Sequence, residues 1–223
     1  MALVCGIDEA GRGPVIGPLV VCGVLFTEEK AGQLAAMGAK DSKLLSPQKR
    51  ERLFSQIQAA AERVELILLS PEEIDAAVLA KDSSLNELET AAMASAINRL
   101  KPDKVYIDCP STNVAGWLSE LRRMLDFVPK EIIAEHKADA KYPLVGAASI
   151  LAKVTRDREI EALKAKFHVD FGSGYPADPK TKAFIEKHYR DFPFFRKSWE
   201  TYRRIAKKDV QGTLDGFGQG KEA

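Results

Sequence analysis

Cysteine is scarce in this chain: Cys5, Cys22 and Cys109 are the only three among 223 residues. None forms a CxxC pair and the set suggests no paired framework, so neither a disulfide scaffold nor a zinc site is expected. The three read instead as small, buried apolar side chains. Long hydrophobic runs are absent too, and nothing approaches the roughly 20 apolar residues of a membrane helix. The N-terminus passes directly into Leu3-Val4-Cys5-Gly6-Ile7 without the pattern of a secretory leader, which predicts a cytoplasmic protein. No internal repeat or low-complexity tract interrupts the chain.

What is present suits one sizeable globular domain with an appendage: 45% hydrophobic and 29% charged residues over 24.5 kDa, too apolar for wholesale disorder. The net charge is only +1, yet it is unevenly spread. Residues 1–129 carry 14 Lys/Arg against 18 Asp/Glu, and residues 130–223 carry 19 against 14. A basic C-terminal part facing an acidic N-terminal part suits a protein that holds a polyanion against a carboxylate site, although solvated helix faces give the same count.

The apolar run 3–8 ends in Asp8, and the β-branched run 17–26 follows a glycine-rich turn, so the chain opens on two hairpin-like strands. Ser46-Pro47 and Ser70-Pro71 each place serine before a first-turn proline, starting helices near 47–62 and after 71. A further helix is expected over 84–100. Strands are read at 63–69, 104–108 and 131–136, the last two separated by a helix at about 114–125, as in parallel βαβ units. One long helix is predicted from Asp139 to about Phe167 with Pro143 in its first turn. Shorter helices are predicted over 180–189 and 198–207, and the final 15 or so residues read as flexible.

Chemistry-bearing side chains gather at the ends of these elements. Asp8 and Glu9 close the first strand, Asp108 closes a parallel strand, and Asp139 heads a helix. Strand C-terminal ends converge on one edge of an α/β sheet. Four carboxylates meeting there would repel one another, and a hard cation with oxygen ligands resolves the repulsion. Taken singly, each reads better as a turn or cap residue, and it is their convergence that points to a site. Neighbours on a regular strand face opposite ways, so Asp8 and Glu9 share a site only if the strand ends or twists there. Immediately after them, Gly11-Arg12-Gly13-Pro14 would let backbone amides approach a phosphate or a ribose hydroxyl.

The string Gly6-Ile7-Asp8-Glu9-Ala10-Gly11-Arg12-Gly13-Pro14 with Gly17-Pro18-Leu19-Val20 resembles the opening of type 2 ribonuclease H, the ribonuclease HII family, in its archaeal form. Further blocks follow in the family's order: Asp41-Ser42-Lys43-Leu44-Leu45-Ser46, Asn86-Glu87-Leu88-Glu89, Ile107-Asp108, Lys137 to Pro143, Ala147 to Val154, and Gly172-Ser173-Gly174-Tyr175-Pro176. The resemblance covers about residues 1–210. It implies an α/β fold, a ribonuclease H-like mixed sheet flanked by helices, with a catalytic domain over 1–175 and a small C-terminal helical extension over 176–210. It implies an endonuclease that hydrolyses the RNA strand of RNA–DNA hybrids, or single ribonucleotides in duplex DNA, in ribonucleotide removal and DNA replication. Catalysis would use two divalent ions, Mg2+ or Mn2+, on Asp8, Glu9, Asp108 and Asp139, leaving 5′-phosphate and 3′-hydroxyl ends. Gly11, Arg12 and Gly13 would sense the ribose 2′-hydroxyl, Tyr175 would pack on the neighbouring sugar, and Lys43 and Ser149 fall in blocks that resemble phosphate contacts. A wall of basic residues, Arg196, Lys197, Arg203, Arg204, Lys207 and Lys208, would grip phosphates without reading sequence. A monomer is implied.

Residues 211–223 hold one more resemblance. Gln211, Leu214 and Phe217 follow the three-residue spacing of the sliding-clamp-binding peptide of replication proteins, with Gly218 where a second aromatic is usual. Two other classes remain to be weighed: an actin-like ATPase with a related sheet, which should have further phosphate and adenosine loops, and a non-catalytic hybrid-binding module, for which the carboxylates would be a liability without metal.

Overall fold

The computed structural model describes residues 1–38 and 45–218, except for the side chains of 210–218. Lys43 lies outside the described residues. The polypeptide forms a five-stranded mixed sheet in the order β3-β2-β1-β4-β5. Its antiparallel half is a meander of β1 (Leu3–Ala10), β2 (Leu19–Thr27) and β3 (Arg63–Leu69), with register running from Leu3 opposite Thr27 to Ala10 opposite Val20. Its parallel half adds β4 (Lys104–Asp108) beside β1 and β5 (Glu131–Glu135) beside β4. Because β1 and β4 run the same way with Ile7 opposite Ile107, Asp8 and Asp108 emerge at the same edge.

Alternation along β1 sends successive side chains to opposite layers. Cys5 and Ile7 join Met93 and Ile97 of α5 (Leu85–Leu100) and Trp117 and Leu121 of α6 (Val114–Met124). Val4, with Val20, Cys22 and Val24 of β2, faces α3 (Pro47–Ala60) and the long α8 (Pro143–Phe167). A third cluster joins Val15 and Ile16, from the turn after β1, to Phe171, Phe194 and Phe195 and to α9 (Pro179–His188) and α10 (Glu200–Gly218). All three cysteines are buried and unpaired, as their scarcity implied. Among the described residues no helix is long and apolar enough to cross a membrane.

Local signals fix most helix starts. Ser46, Ser70 and Ser84 each accept the amide three residues on, capping α3, α4 (Pro71–Leu79) and α5, and Glu73 returns the bond to Ser70 in a full capping box. Two four-residue helices, α1 (Glu28–Ala31) and α2 (Leu34–Met37), are too short to show a period in sequence. The predicted helix from Asp139 to Phe167 is instead two helices. Tyr142 stands extended, at φ −111° and ψ 113°, between α7 (Ala138–Lys141) and α8. Pro143 disfavours the helical region for the residue before it, so it starts a helix rather than sitting inside one. At the other end α10 runs on to Gly218 where a flexible tail was expected. Gln211, Leu214 and Phe217 therefore lie on helical backbone, and their side chains lie outside the described residues.

One close approach decides where α8 sits. A Cβ on Gly6 would fall 2.3 Å from the Leu144 carbonyl oxygen, at the start of that helix. A backbone atom cannot rotate away, so glycine sets the β1–α8 separation. Gly6→Ala should therefore destabilise the protein by about 1–3 kcal/mol, the usual range for overpacking. Urea unfolding measures this directly; an unchanged midpoint would mean that the layers can part at no cost.

Candidate active site

Three of the predicted carboxylates meet. One oxygen from each of Asp8, Asp108 and Asp139 can be chosen so that all lie within 4.8 Å of one another. Asp8 points to the α8 face of the sheet, Asp108 comes from the end of β4, and Asp139 comes from the first turn of α7. The chain reaches Asp139 through Lys137, a non-glycine residue at φ 58°, which reverses the backbone after β5. The Ala138 amide then donates to the Asp108 carboxylate at 3.2 Å and the Ala140 amide to that of Asp139 at 3.0 Å. A left-handed backbone at Lys137 is strain that the surrounding contacts hold in place.

Glu9 does not join this trio. β1 continues to Ala10, so its pleat sends Glu9 to the α5 face, where it meets Glu89 and Arg12. It still feels the charge of Asp108, and its Oε2 is buried without a hydrogen-bond partner. Burial is the main reason its carboxyl is pushed up to about 8, with Glu89 adding to the rise. Glu89 itself is fully buried and is pushed up to about 7, again chiefly by burial. Asp8 is raised well above the carboxylate range, first by burial and then by repulsion from Asp108 and Asp139. Ser149, predicted as a phosphate contact, is buried on α8 and its hydroxyl bonds the Asp8 carboxyl. That bond holds the Asp8 carboxyl in place.

The glycine turn is held from beneath. Arg196 was expected in an exposed basic wall, but it is fully buried. Its guanidinium donates to the carbonyls of Gly11 at 2.7 Å, Arg12 at 2.9 Å and Gly17 at 3.0 Å. The Trp199 indole takes the Gly13 carbonyl at 3.1 Å. No peptide bond here is cis, and in a trans peptide the N–H points opposite the C=O. The amides of Arg12 and Gly13 are therefore aimed away from Arg196. Tyr175 stands beside the turn, its ring 3.7 Å from where a Gly13 Cβ would stand. Gly11 has φ +93° and a Cβ there would come 2.8 Å from the Pro18 carbonyl, so glycine is required at 11 by the fold itself. The Arg12 side chain is anchored to the Pro110 carbonyl, to Asn86 and, at 3.2 Å, to Glu89.

Sequence reasoning missed the roles of Glu89, Arg156 and Arg196. A signal existed for each. Glu89 sits four residues after Leu85 and three before Ala92, and Arg156 lies between Ala152 and Ile160 at four-residue steps, so both interrupt apolar helix lines. Arg196 follows Phe194-Phe195 and precedes Trp199. A charge among such neighbours is a charge about to be buried.

The donor set is all carboxylate oxygen and mutually repelling, and so fits a hard divalent cation rather than a soft one. The profile of the Ribonuclease HII family matches residues 5–202. A ribonuclease HII from Pyrococcus furiosus is 49% identical over 222 residues, covering 95% of this chain and 96% of that one. The ribonuclease H2 structure from Pyrococcus horikoshii superposes with a TM-score of 0.85 at 46% identity, covering 94% of this chain and 99% of the other. A chain in the PCNA:RNase HII complex from Archaeoglobus fulgidus gives 0.80 at 44% identity, covering 89% and 95%.

The raised carboxyls have a thermodynamic consequence. A group whose pKa is raised on folding holds its proton more tightly in the native state. Its stabilisation is complete below the unfolded carboxylate range and is lost as pH climbs toward the folded value, here about 8 for Glu9 and about 7 for Glu89. Depressed carboxyls such as Asp178, held at about 2 by Ser173, act only at lower pH. In EDTA the melting temperature should fall by several degrees from about pH 5.5 to about pH 8.5, and Mn2+ should restore more of it at the higher pH. A metal-free melting temperature that rises over this window would contradict the assignment.

Proposed function

The chain belongs to the ribonuclease HII family, and on that premise we propose that it cuts the RNA strand of RNA–DNA hybrids and single ribonucleotides within duplex DNA. As a family member it is a metal-dependent endoribonuclease of the ribonuclease H type. The observation that carries the finer reading is the juxtaposition just described: two outward amides and an exposed aromatic beside a cluster of carboxylates. Amides donate to a 2′-hydroxyl, which DNA lacks, and Tyr175 offers an apolar face to the adjoining sugar. The same backbone reads every base alike, so selection is by sugar and not by sequence.

Asp8, Asp108 and Asp139 would hold the divalent ion, and the orphaned Glu9 Oε2 is available to a second. Mg2+ or Mn2+ held by these carboxylates would supply an activated water and charge stabilisation for the departing 3′-oxygen, with 5′-phosphate and 3′-hydroxyl ends as the products. The chain's own part is orientation. Ser149 and the Glu9 amide, the latter at 2.7 Å, fix the Asp8 carboxylate, and the turn sets the sugar that defines which bond is cut. Lys43 is proposed as a phosphate contact on its sequence block alone. Lys197, Arg203, Arg204, Lys207 and Lys208 remain the candidate phosphate wall now that Arg196 is withdrawn from it. For the C-terminus, we propose that Gln211, Leu214 and Phe217 contact a sliding clamp, a reading supported by the PCNA complex of the Archaeoglobus relative. The enzyme is proposed to act as a monomer.

A DNA duplex carrying one ribonucleotide should be cut at that residue with Mg2+ or Mn2+ and left intact in EDTA, while an all-DNA duplex should survive both. Asp8→Asn and Asp108→Asn should each lower turnover by roughly 100-fold or more with duplex binding kept, since each loses a ligand and some phosphate repulsion. Asp139→Asn should be the mildest of the carboxylate variants. Gly13→Ala has room in the free protein but places a methyl toward the sugar, so it should fold normally and cut poorly. Metal-independent cleavage, or a fully active Gly13→Ala, would retire the reading.

A further inference from the structure

We propose that Arg156 is a positioning residue for ribonucleotide selectivity: buried on α8, it sets the Tyr175 ring against the glycine turn. This rests on the reading of Tyr175 given above and assigns the group that makes it work. Arg156 is 2% exposed, while Tyr175, at 38%, stands open. The guanidinium carbon lies 5.2 Å from the centre of the Tyr175 ring, within cation–π range. One nitrogen donates to the Ser173 carbonyl at 3.0 Å, fixing the loop two residues before the tyrosine. The same side chain fills the floor under both partners: a Cβ on Gly11 would meet its Cγ at 3.2 Å, and a Cβ on Gly174 would meet its Nη2 at 3.2 Å. The Gly174 carbonyl in turn accepts the amides of Val15 and Ile16, at 2.9 and 3.4 Å, joining the two loops directly.

Nothing in a stability argument alone calls for this arrangement. Burying an arginine costs several kcal/mol unless it is well paired, and Arg156 is poorly paired. Its Nε has no hydrogen-bond partner, its ion pair with half-exposed Asp157 is 3.6 Å long, and Arg196 repels it. An apolar residue would fill the space at less cost. What only a planar cation offers is a stacking partner that holds an exposed aromatic ring in one orientation without covering its outer face. Ser149 lies seven residues earlier on the same helix, two turns away on the same side, and bonds Asp8. A single rigid helix thus indexes the sugar-reading ring to the metal-binding carboxylates, so selection of the sugar and placement of the scissile bond share one reference.

The test uses the full-length protein and two substrates, a duplex with one ribonucleotide and a continuous RNA–DNA hybrid, with kcat/KM measured on each. Arg156→Lys keeps charge and stem but loses the planar face. It should lower the ratio of single-ribonucleotide to hybrid cleavage about 3- to 30-fold, the range spanned by a partly desolvated cation–π contact. Tyr175→Ala should lower the ratio too. In the double variant, Arg156→Lys should change the ratio less than about twofold beyond Tyr175→Ala alone, because the residue acts through the ring. Equal losses on both substrates, or an unchanged penalty in the Tyr175→Ala background, would make Arg156 merely structural and overturn the inference. If Tyr175→Ala leaves the ratio intact, the reading of Tyr175 fails and the inference with it; if only Arg156→Lys does so, the inference alone fails. Should Arg156→Lys not fold, NMR decides. The Arg156 Hε resonance should lie upfield in the wild type and lose that shift in Tyr175→Ala, and an identical shift in both would refute the contact.

Discussion

The Arg196 guanidinium beneath the glycine turn is the contact on which the rest of the site depends. It comes from the C-terminal segment, some 180 residues from the carbonyls it binds, and each charge-assisted bond contributes about 1.5–3 kcal/mol when its partners are buried. With those carbonyls taken, peptide planarity leaves the turn only one way to present its amides. Asp75 of α4 ties the same segment down, accepting the amides of Lys197 and Ser198 at 2.8 Å each. The turn after β1 and the segment around Arg196 therefore meet under the site, and a recognition surface that looks like a loop is tied down from beneath.

A second constraint works by repulsion. Burial, reinforced by repulsion from Asp108, raises the proton affinity of Asp8 on one face of β1 and of Glu9 on the other, and a bound cation would relieve that repulsion. Metal binding and the final form of the site are thus one equilibrium. The pleat of β1 divides the labour: Asp8 looks toward α7 and α8, and Glu9 looks toward Arg12 and Glu89. The two adjacent acids face different environments, and Arg12 links the second of them to the turn.

Much of this was legible in the sequence, and the gaps have physical causes. All five strands were visible because each is a β-branched or alternating run bounded by turn residues, and the serine-proline starts fixed α3 and α4 to within a residue. The mixed character of the sheet followed from its combination of hairpin and βαβ connections. The break at Tyr142 was missed because Pro143 satisfies the rules for a first turn as well as those for a break. Glu9 was grouped with Asp8 on the condition that the strand ends or twists there; β1 instead continues to Ala10, and its pleat puts the two on opposite faces. Arg196 was read as part of a phosphate-gripping wall because residue type alone suggests solvent, whereas burial, which only tertiary packing reveals, turns its guanidinium toward a set of carbonyls. Arg156 and Glu89 lie on apolar lines, and a long polar side chain on such a line gives no sign in sequence of which partner will receive it.

The central claim is that Asp8, Asp108 and Asp139, from three separate elements, form one divalent-cation site on the α8 side of the sheet. Anomalous diffraction at the manganese edge from crystals soaked in Mn2+ tests it most directly. A strong peak enclosed by those three carboxylates is expected. Manganese found only at surface acids such as Glu135 or Asp170, with no density between the three aspartates, would contradict it.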